Sequence, residues 1–427
     1  MYKTEVKIFL VVGLVCLSFL TIAQTKSPFT SRGIGDINDL SLSNNQSMGG
    51  LGISNGNYWY LNNMNPALLP YNSLTVFAAG LEMERRNISN GTNQETNSGG
   101  RLGYLATAFP IMPGKWTSSI GLAPYSRVDY KFTLPSQNIP NAPDSVTANI
   151  TEQGTGGFSQ FYWSNGVALT RSFYVGVKAT YLFSSIETQF TNQLNNTGAP
   201  ITFVPSVKKR TSVSDFMFQG SVAYRKDSIF NNKIGFKMGA TYDLSSDINA
   251  SQLESTELQF NGTAVTNPDT LQNNESGTIT LPWALGVGFS FNNGSKWLAG
   301  FDVRYQPWSE YKNFNGDNDG LEDSYKIVLG GEFTPDASSV NNYFERVTYR
   351  VGFSYENTPY MINGKQIKDF GINFGWSLPV SRFSSLDMAF NYGMRGSASE
   401  TQIEEDYYGF TLGVTFNDQW FIKRKYD

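Results

Sequence analysis

The side chains that most often carry enzyme chemistry are nearly absent from this sequence of 427 residues. It contains no histidine, and its one cysteine is Cys16. Most hydrolytic sites use an imidazole as the base, and most zinc sites use imidazole or thiolate ligands. We therefore expect no enzyme activity, no metal site and no cofactor.

One acidic stretch, Asn315-Gly316-Asp317-Asn318-Asp319-Gly320, resembles the start of a calcium-binding loop. Such a loop needs a bidentate acidic side chain six residues after its last glycine, and Lys326 stands there instead. We therefore predict that this stretch is a solvated acidic loop.

The first 23 residues have the pattern of a secretory signal peptide. Lys3 and Lys7 precede an apolar run from Ile8 to Ile22, and small Ala23 follows. The run is too short for a typical membrane-spanning helix. Cys16 lies within the segment that would be removed, so the mature chain has no disulfide. A lipoprotein with Cys16 as the lipidated residue is the alternative, but the preceding valine is bulky for such a site.

The mature chain would carry 30 basic and 35 acidic side chains, because Lys3, Lys7 and Glu5 leave with the signal peptide. This mild acidic excess gives no reason to expect a nucleic-acid partner.

After residue 72, apolar and polar residues alternate in many short runs. Between residues 234 and 244, for example, apolar side chains occupy every second position. This period predicts a strand with one apolar and one polar face. About fourteen such runs occur, an even number as a closed bacterial barrel requires. They lie near residues 74–86, 101–111, 116–134, 156–171, 173–190, 211–226, 233–250, 278–291, 297–311, 323–334, 346–356, 367–379, 384–396 and 403–417.

Charges on the polar face distinguish a membrane barrel from a soluble β-sandwich or propeller. They would be costly in a sandwich core but are natural in a water-filled lumen. Tight turns such as 112–115 also alternate with long polar stretches near 87–100, 135–155, 191–210 and 251–277, as periplasmic turns and outer loops do. The inward-facing charges include Lys237, Arg304, Arg350, Asp369 and Arg395.

We predict an all-β fold, a transmembrane antiparallel β-barrel of about fourteen strands over residues 73–427. The expected location is the outer membrane of a Gram-negative cell, in contact with its lipids.

Residues 24–72 show no alternation and are rich in glycine, including Gly49, Gly50 and Gly52. Glycine allows tight turns and close packing of backbone against a wall. A periplasmic tail is one interpretation, but the apolar residues favour a hatch that folds into the barrel lumen. These apolar residues are Leu51, Ile53, Trp59, Leu61, Met64, Leu68 and Leu69.

These features together resemble the long-chain fatty-acid transporter (FadL) family. The triplet Asn65-Pro66-Ala67 matches an Asn-Pro-Ala triplet in the N-terminal hatch of that family, and Gly49 to Gly52 match its glycine-rich stretch. The strand count agrees over essentially the whole mature chain.

The resemblance implies passive uptake of hydrophobic small molecules through a hatch-plugged barrel, with a ligand in the lumen and a lateral exit. The polar lumen departs from that pattern. Some members of the superfamily are shuttles or subunits of outer-membrane secretion and assembly complexes. The alternative is therefore a non-transporting barrel whose partners are other outer-membrane proteins.

Proline interrupts the third predicted strand, at Ala123-Pro124-Tyr125. Because proline has no backbone N–H, it must mark a bulge, a rim or a gap in a barrel. In the resembling family, a kink in the third strand opens the wall sideways. These three residues are the candidate lateral opening, and the alternative is that the strand extends beyond the bilayer and Pro124 lies at its rim.

Overall fold

The computed structural model describes residues 26–134, 137–138, 146–196, 203–229, 234–260, 263–294 and 296–419. The predicted signal peptide (residues 1–23) lies outside these ranges, as do residues 420–427. All statements below about structure concern the described residues.

The chain forms a closed antiparallel β-barrel of fourteen strands, which confirms the predicted fold and strand count. Three of the fourteen strands are each built from two segments, so the segments outnumber the barrel strands. In chain order the segments are β1 (Asp36–Ile37), β2 (Thr75–Ser89), β3 (Gln94–Met112), β4 (Trp116–Pro124), β5 (Ser126–Thr133), β6 (Gln137–Asn138), β7 (Val146–Ala168), β8 (Phe173–Asn196), β9 (Phe203–Ile229), β10 (Ile234–Asp243), β11 (Ser246–Phe260), β12 (Thr263–Ala264), β13 (Asp269–Leu281), β14 (Ala284–Asn293), β15 (Trp297–Gln306), β16 (Ser324–Phe333), β17 (Thr348–Ile362), β18 (Lys365–Pro379), β19 (Ser384–Ser397) and β20 (Ile403–Asp418).

The barrel closes where the first long strand, β2, pairs with the last, β20, with Leu81 opposite Leu412. The composite strands are β4 with β5, β10 with β11, and β13 with β14. The helical turns are short: one α-helical turn at Ser43–Gln46 and 3-10 turns at Pro28–Ser31, Pro66–Tyr71, Trp308–Glu310 and Tyr343–Arg346.

The two faces of the strands separate as the alternation predicts. Aromatic and aliphatic side chains cover the outside, for example Phe218, Phe353 and Phe374, which are about half exposed in the isolated chain. Arg350 and Asp369 point inward and are buried. Such an apolar outer surface is what a bilayer would cover. In the described part of the chain, no helix is long and apolar enough to cross a membrane.

Three neighbouring strands run far past the others: β7 has 23 residues, β8 has 24 and β9 has 27. At about 3.3 Å per residue and a tilt of about 40°, each spans roughly 60 Å, against an apolar band of about 25 Å. We call this side of the barrel the extended end. The opposite side, with the tight hairpins at 113–115 and 380–383, is the turn end.

The prediction of long loops is therefore wrong in part. Residues 94–100, 146–155, 191–196, 203–210 and much of 251–277 belong to strands, and residues 139–145 lie outside the described ranges. These strand extensions carry polar residues on both faces because water surrounds them, so they lack the alternation that marks a strand at bilayer depth.

Residues 26–72, which we call the inner segment, lie inside the barrel. Met48, Leu51, Leu61 and Leu69 are completely buried. Little of the segment is regular secondary structure, so asparagine side chains form hydrogen bonds with its backbone N–H and C=O groups. The Asn62 Nδ2 group donates to the carbonyl oxygens of Gly52 (2.6 Å) and Asn55 (2.8 Å).

Glycines in the wall let the inner segment make backbone contact with the barrel. A Cβ atom at Gly176 would collide with the backbone of Pro66 and Ala67, and one at Gly352 would collide with the backbone of Met48. Further wall glycines whose Cβ atoms would crowd the segment are Gly166, Gly239, Gly286, Gly288, Gly300, Gly330, Gly375 and Gly413. The segment is therefore fitted to the wall all around the barrel.

An apolar core fills the lumen at the extended end. The connection between β15 and β16 folds inward there, and its Trp308, Tyr311 and Leu321 are buried together with Phe29 of the inner segment. Burial of large aromatic side chains stabilises this arrangement strongly. The lumen is thus occupied at this end as well.

The glycine contacts generate a first prediction. Gly176→Val should displace residues 65–67, because the added side chain meets backbone that cannot rotate away; overpacking of this kind costs about 1–3 kcal/mol. Gly220→Val is the matched control, because a Cβ there meets no atom within 4 Å. Limited proteolysis of the purified barrel should cut the inner segment faster only in the Gly176 variant. Equal rates in both variants would contradict the packing described here.

Candidate functional site

The barrel wall has an unpaired stretch next to β3. Pairing of β3 with β4 runs from Met112 to Leu105, opposite Leu122, and then ends. From Gln94 to Tyr104, β3 pairs with β2 on one side, while β5 pairs with β7 on its far side. We call this gap between β3 and β5 the seam.

Pro124 is the last residue of β4 and lies where the seam begins. Tyr125 donates its N–H to the carbonyl oxygen of Phe158 (2.8 Å), so the nitrogen of Pro124 points to the open side, where no ladder bond is lost. The nine residues of β4 place Pro124 roughly 20 Å from the turn end, within an apolar band of about 25 Å.

The inner segment lies against β5 where β3 would otherwise pair with it. Asp36 and Ile37, which form β1, pair with Arg127 and Ser126. On either side, the N–H of Asn38 donates to the carbonyl oxygen of Tyr125 (2.9 Å) and the N–H of Ser27 donates to that of Asp129 (2.8 Å). The seam is therefore backed from inside by hydrogen-bonded backbone.

A cavity of about 250 Å³ lies beside the seam. Gly100 and Arg101 of β3, Pro124 of β4 and Arg127 of β5 line it, together with residues of the inner segment. Nine of its lining residues carry charge: Asp36, Asp39, Glu82, Glu84, Arg86, Arg101, Arg127, Lys326 and Arg395. The cavity is therefore strongly polar.

Asp36 is the centre of a buried cluster of charges. Its carboxylate lies 2.7 Å from Arg395, 3.4 Å from Arg86 and 3.6 Å from Arg127. These three arginines also pair with Glu84, Asp369 and Glu405 of the wall. We call these seven residues the Asp36 cluster. It ties the inner segment to strands β2, β5 and β19 and, through Asp369 and Glu405, to β18 and β20.

The Asp36 carboxylate stays ionised in this setting. Burial alone would raise its pKa, but the opposite charges of Arg395, Arg86 and Arg127 together outweigh burial and hold the pKa well below its usual range. A buried carboxylate of this kind is stable only with its partners, and removal of one partner of a buried pair costs roughly 3–5 kcal/mol.

Two further contacts fix the inner segment at other points. Asp302 of β15 accepts hydrogen bonds from the N–H groups of Gly52 (2.7 Å) and Ile53 (2.8 Å). Asp39 pairs with Lys326 of β16 at 2.6 Å. The segment is thus tied to the wall on several sides of the barrel.

The triplet Asn65-Pro66-Ala67 is completely buried against β7, β8 and β9. The Asn65 Oδ1 atom accepts from the N–H of Ala67 (3.0 Å), and its Nδ2 group donates to the carbonyl oxygen of Ile53 (2.7 Å). The Ala67 N–H also lies 3.0 Å from the Ser221 Oγ atom. The triplet therefore links two turns of the segment to the wall.

Five of the other six predicted residues lie around the seam, and the sixth, Gly52, is held by Asp302 of β15. Gly49, Gly50, Ala123 and Pro124 line the same cavity, and Tyr125 lines a neighbouring cavity of about 130 Å³ with Gly50. Gly49 and Gly50 adopt positive φ angles of 74° and 93°, which favour glycine.

Prediction from sequence missed the Asp36 cluster, although β2 carried a signal for it. Glu82, Glu84 and Arg86 stand at every second position and therefore share the inner face.

A separate cavity of about 1040 Å³ lies at the turn end. It shares no lining residue with the two cavities near the seam. Buried residues of the inner segment, including Leu51, Leu61 and Leu69, lie between them. The segment thus separates the spaces at the two ends.

Solved structures of similar fold are outer-membrane channels. The toluene transporter TodX of Pseudomonas putida matches with a TM-score of 0.59 and 12% identity, over 90% of this chain and 100% of that chain. The toluene transporter TbuX of Ralstonia pickettii matches with a TM-score of 0.54 and 13% identity, over 89% and 99%. A FadL homologue of Pseudomonas aeruginosa matches with a TM-score of 0.50 and 10% identity, over 93% and 99%.

At these identities, the likeness concerns the fold, which is that of FadL-type barrels. No functionally curated protein matches the chain in sequence. The family model that matches is that of BamG, over residues 5–427, and not that of FadL itself. The match covers nearly the whole length, and the chain therefore belongs to the BamG family.

Proposed function

We propose that this protein is a sealed barrel that serves as a subunit of an outer-membrane secretion or assembly complex. The observation that carries the proposal is the Asp36 cluster, in which one carboxylate of the inner segment is held by three arginines of the wall. The inner segment acts as a permanent plug, and the protein binds its partners through its loops, its outer wall or its turn end.

The seam is a poor route for apolar molecules. A hydrophobic ligand gains little in a cavity with nine charged lining residues, because those charges would lose hydration as the ligand enters. Two of the cavities beside the seam, about 250 and 130 Å³, are also smaller than the roughly 300–1000 Å³ of typical ligand pockets. A third, of about 570 Å³, lies at the extended end between residues 94–97 of β3 and 130–133 of β5. The charged lining and the small size of the two cavities deeper in the wall favour a barrel that does not transport.

The proposed location is the outer membrane, after export through the N-terminal signal peptide. The apolar outer face of the barrel would contact lipid, and the short hairpins of the turn end would face the periplasm. The partners would be other outer-membrane proteins.

A second candidate function is passive uptake of small hydrophobic molecules with lateral exit. The seam favours it, because an unpaired wall at bilayer depth lies directly beside a cavity. The cavity of about 130 Å³ is also close in size to the roughly 150 Å³ cavity that holds benzene in another protein. Similar folds include transporters of toluene.

The main proposal predicts that the protein forms a stable complex with other outer-membrane proteins. When the tagged full-length protein is extracted in mild detergent, other outer-membrane proteins should elute with it in a fixed ratio through affinity and size-exclusion steps. Quantitative mass spectrometry measures the ratio. A lone barrel that carries a bound hydrophobic molecule would contradict the proposal and support uptake.

The second candidate is tested by uptake of radiolabelled toluene. The main proposal predicts that cells with the protein take up no more toluene than cells without it. If uptake were raised, Arg101→Trp should abolish the increase, because this side chain lines the cavity at the seam and pairs there with Glu82. Leu102→Trp is the matched control, because the next residue along the strand points to the other face and meets lipid. Raised uptake that only Arg101→Trp removes would overturn the sealed barrel.

The role of the Asp36 cluster is tested by Asp36→Ala. Loss of the carboxylate leaves buried arginines short of a partner, so the inner segment should loosen by roughly 3–5 kcal/mol and be cut faster by protease. Glu187→Ala is the matched control, because its pair with Arg210 is largely exposed and contributes about 0–1 kcal/mol. If both variants resist protease like the wild type, Asp36 does not hold the segment.

A further inference from the structure

The cavity of about 1040 Å³ at the turn end is the largest of the four described above, and the Asp36 cluster does not reach it. On one side it is bounded by Tyr58-Trp59-Tyr60 of the inner segment. On the other side it reaches the hairpin turns that contain Gly114, Gly294 and Arg382. It is therefore a vestibule at the mouth of the barrel.

The vestibule carries a surplus of positive charge. Five basic side chains line it against two acidic ones, whereas the whole chain has a net charge of −4. The two acids are already paired, Asp227 with Arg225 and Glu332 with Arg350. Among the described residues, Lys226, Lys237, Arg346 and Arg382 make no ion pair. Lys226 stands opposite Phe236 on the same face as the outward-facing Tyr224 and Met238. Lys237, Arg346 and Arg382 are thus the three cations left in the vestibule to attract an anionic partner.

An exposed aromatic side chain stands beside these cations. Tyr58 is 59% exposed, although it belongs to a segment that is otherwise mostly buried. Its loop is held in place: the Lys237 Nζ group donates to the carbonyl oxygen of Gly56 (2.6 Å), and the Asn57 Oδ1 atom accepts from the N–H of Trp59 (2.8 Å). The aromatic surface is therefore prearranged before any ligand arrives.

The basic groups of the vestibule are also positioned by aromatic rings. The Arg225 guanidinium lies 5.3 Å from the centre of the Tyr71 ring, and the Arg346 guanidinium lies 5.1 Å from that of Tyr343. Such cation–π contacts hold long side chains in defined places. Arginine and tyrosine in this arrangement are the residue types that dominate protein–protein binding energy.

We propose that the vestibule binds an extended acidic segment of a partner protein, with an aromatic side chain of that segment against Tyr58 and Trp59. The inference rests on the proposed function, because it names the surface through which the subunit meets a partner. Complementary charge gives the contact its specificity.

A polypeptide suits this site better than a lipid. The vestibule lies within the mouth of the barrel, between the inner segment and the inner faces of the strands, whereas lipid headgroups meet the outer wall. Its volume also lies at the upper limit of the roughly 300–1000 Å³ of small-molecule pockets.

The test uses the purified full-length protein in detergent and three fluorescent peptides, measured by anisotropy. The peptide of alternating Glu and Tyr should bind, the peptide of alternating Lys and Tyr should not, and the peptide of alternating Glu and Ser should bind more weakly. The double variant Arg346→Glu, Arg382→Glu should weaken binding of the first peptide about ten-fold or more. Lys131→Glu, at an exposed position of the extended end, is the matched control and should leave binding unchanged.

Three results would overturn the inference. The Lys peptide could bind as tightly as the Glu peptide, the double variant could bind the first peptide as tightly as the wild type, or the Lys131→Glu control could weaken binding as much as the double variant does. Preference for vesicles that contain an anionic lipid, lost in the double variant, would also overturn it in favour of a lipid site. If the peptide does not bind but other proteins still co-purify in a fixed ratio, this inference fails alone. If co-purification fails, the proposed function fails by its own test.

Discussion

The position of the inner segment depends most on one buried carboxylate. Asp36 is held by Arg86, Arg127 and Arg395, which come from strands on both sides of the seam. A charge cluster this deep is stable only when every member is in place, because an unpaired buried charge is very costly. The backing of the seam and the separation of the cavities at the two ends both follow from that constraint.

Shape adds to charge in fixing the segment. Wall glycines such as Gly176 and Gly352 admit its backbone so closely that no side chain would fit between. Asparagine side chains complete its backbone hydrogen bonds from within, as Asn62 does for Gly52 and Asn55. A segment that is matched to the wall by backbone contact has few alternative positions. This favours a permanent plug over a gate, in line with the proposal that this FadL-type barrel of the BamG family is sealed.

Much of the barrel could be predicted from sequence, because a bilayer requires apolar and polar side chains to alternate along each strand. Runs such as residues 234–244 alternate since one face meets lipid and the other meets the lumen. The extensions of β7, β8 and β9 could not be found that way, because water surrounds both faces. The Asp36 cluster could not be predicted from the sequence either. Asp36 and Arg395 are distant in sequence, and they come together only through the closure of the barrel and the register of its strands. The alternating Glu82, Glu84 and Arg86 indicated an inward charged face but not its partner.

The central claim is that the inner segment seals the barrel, and single-channel conductance in planar bilayers tests it most directly. The wild-type protein should give no steady conductance, whereas a variant that lacks residues 27–61 should insert as a barrel and conduct ions. Correct folding of both is checked by the shift in gel mobility between heated and unheated samples. Steady conductance by the wild type, or the same closed behaviour after the deletion, would contradict the account.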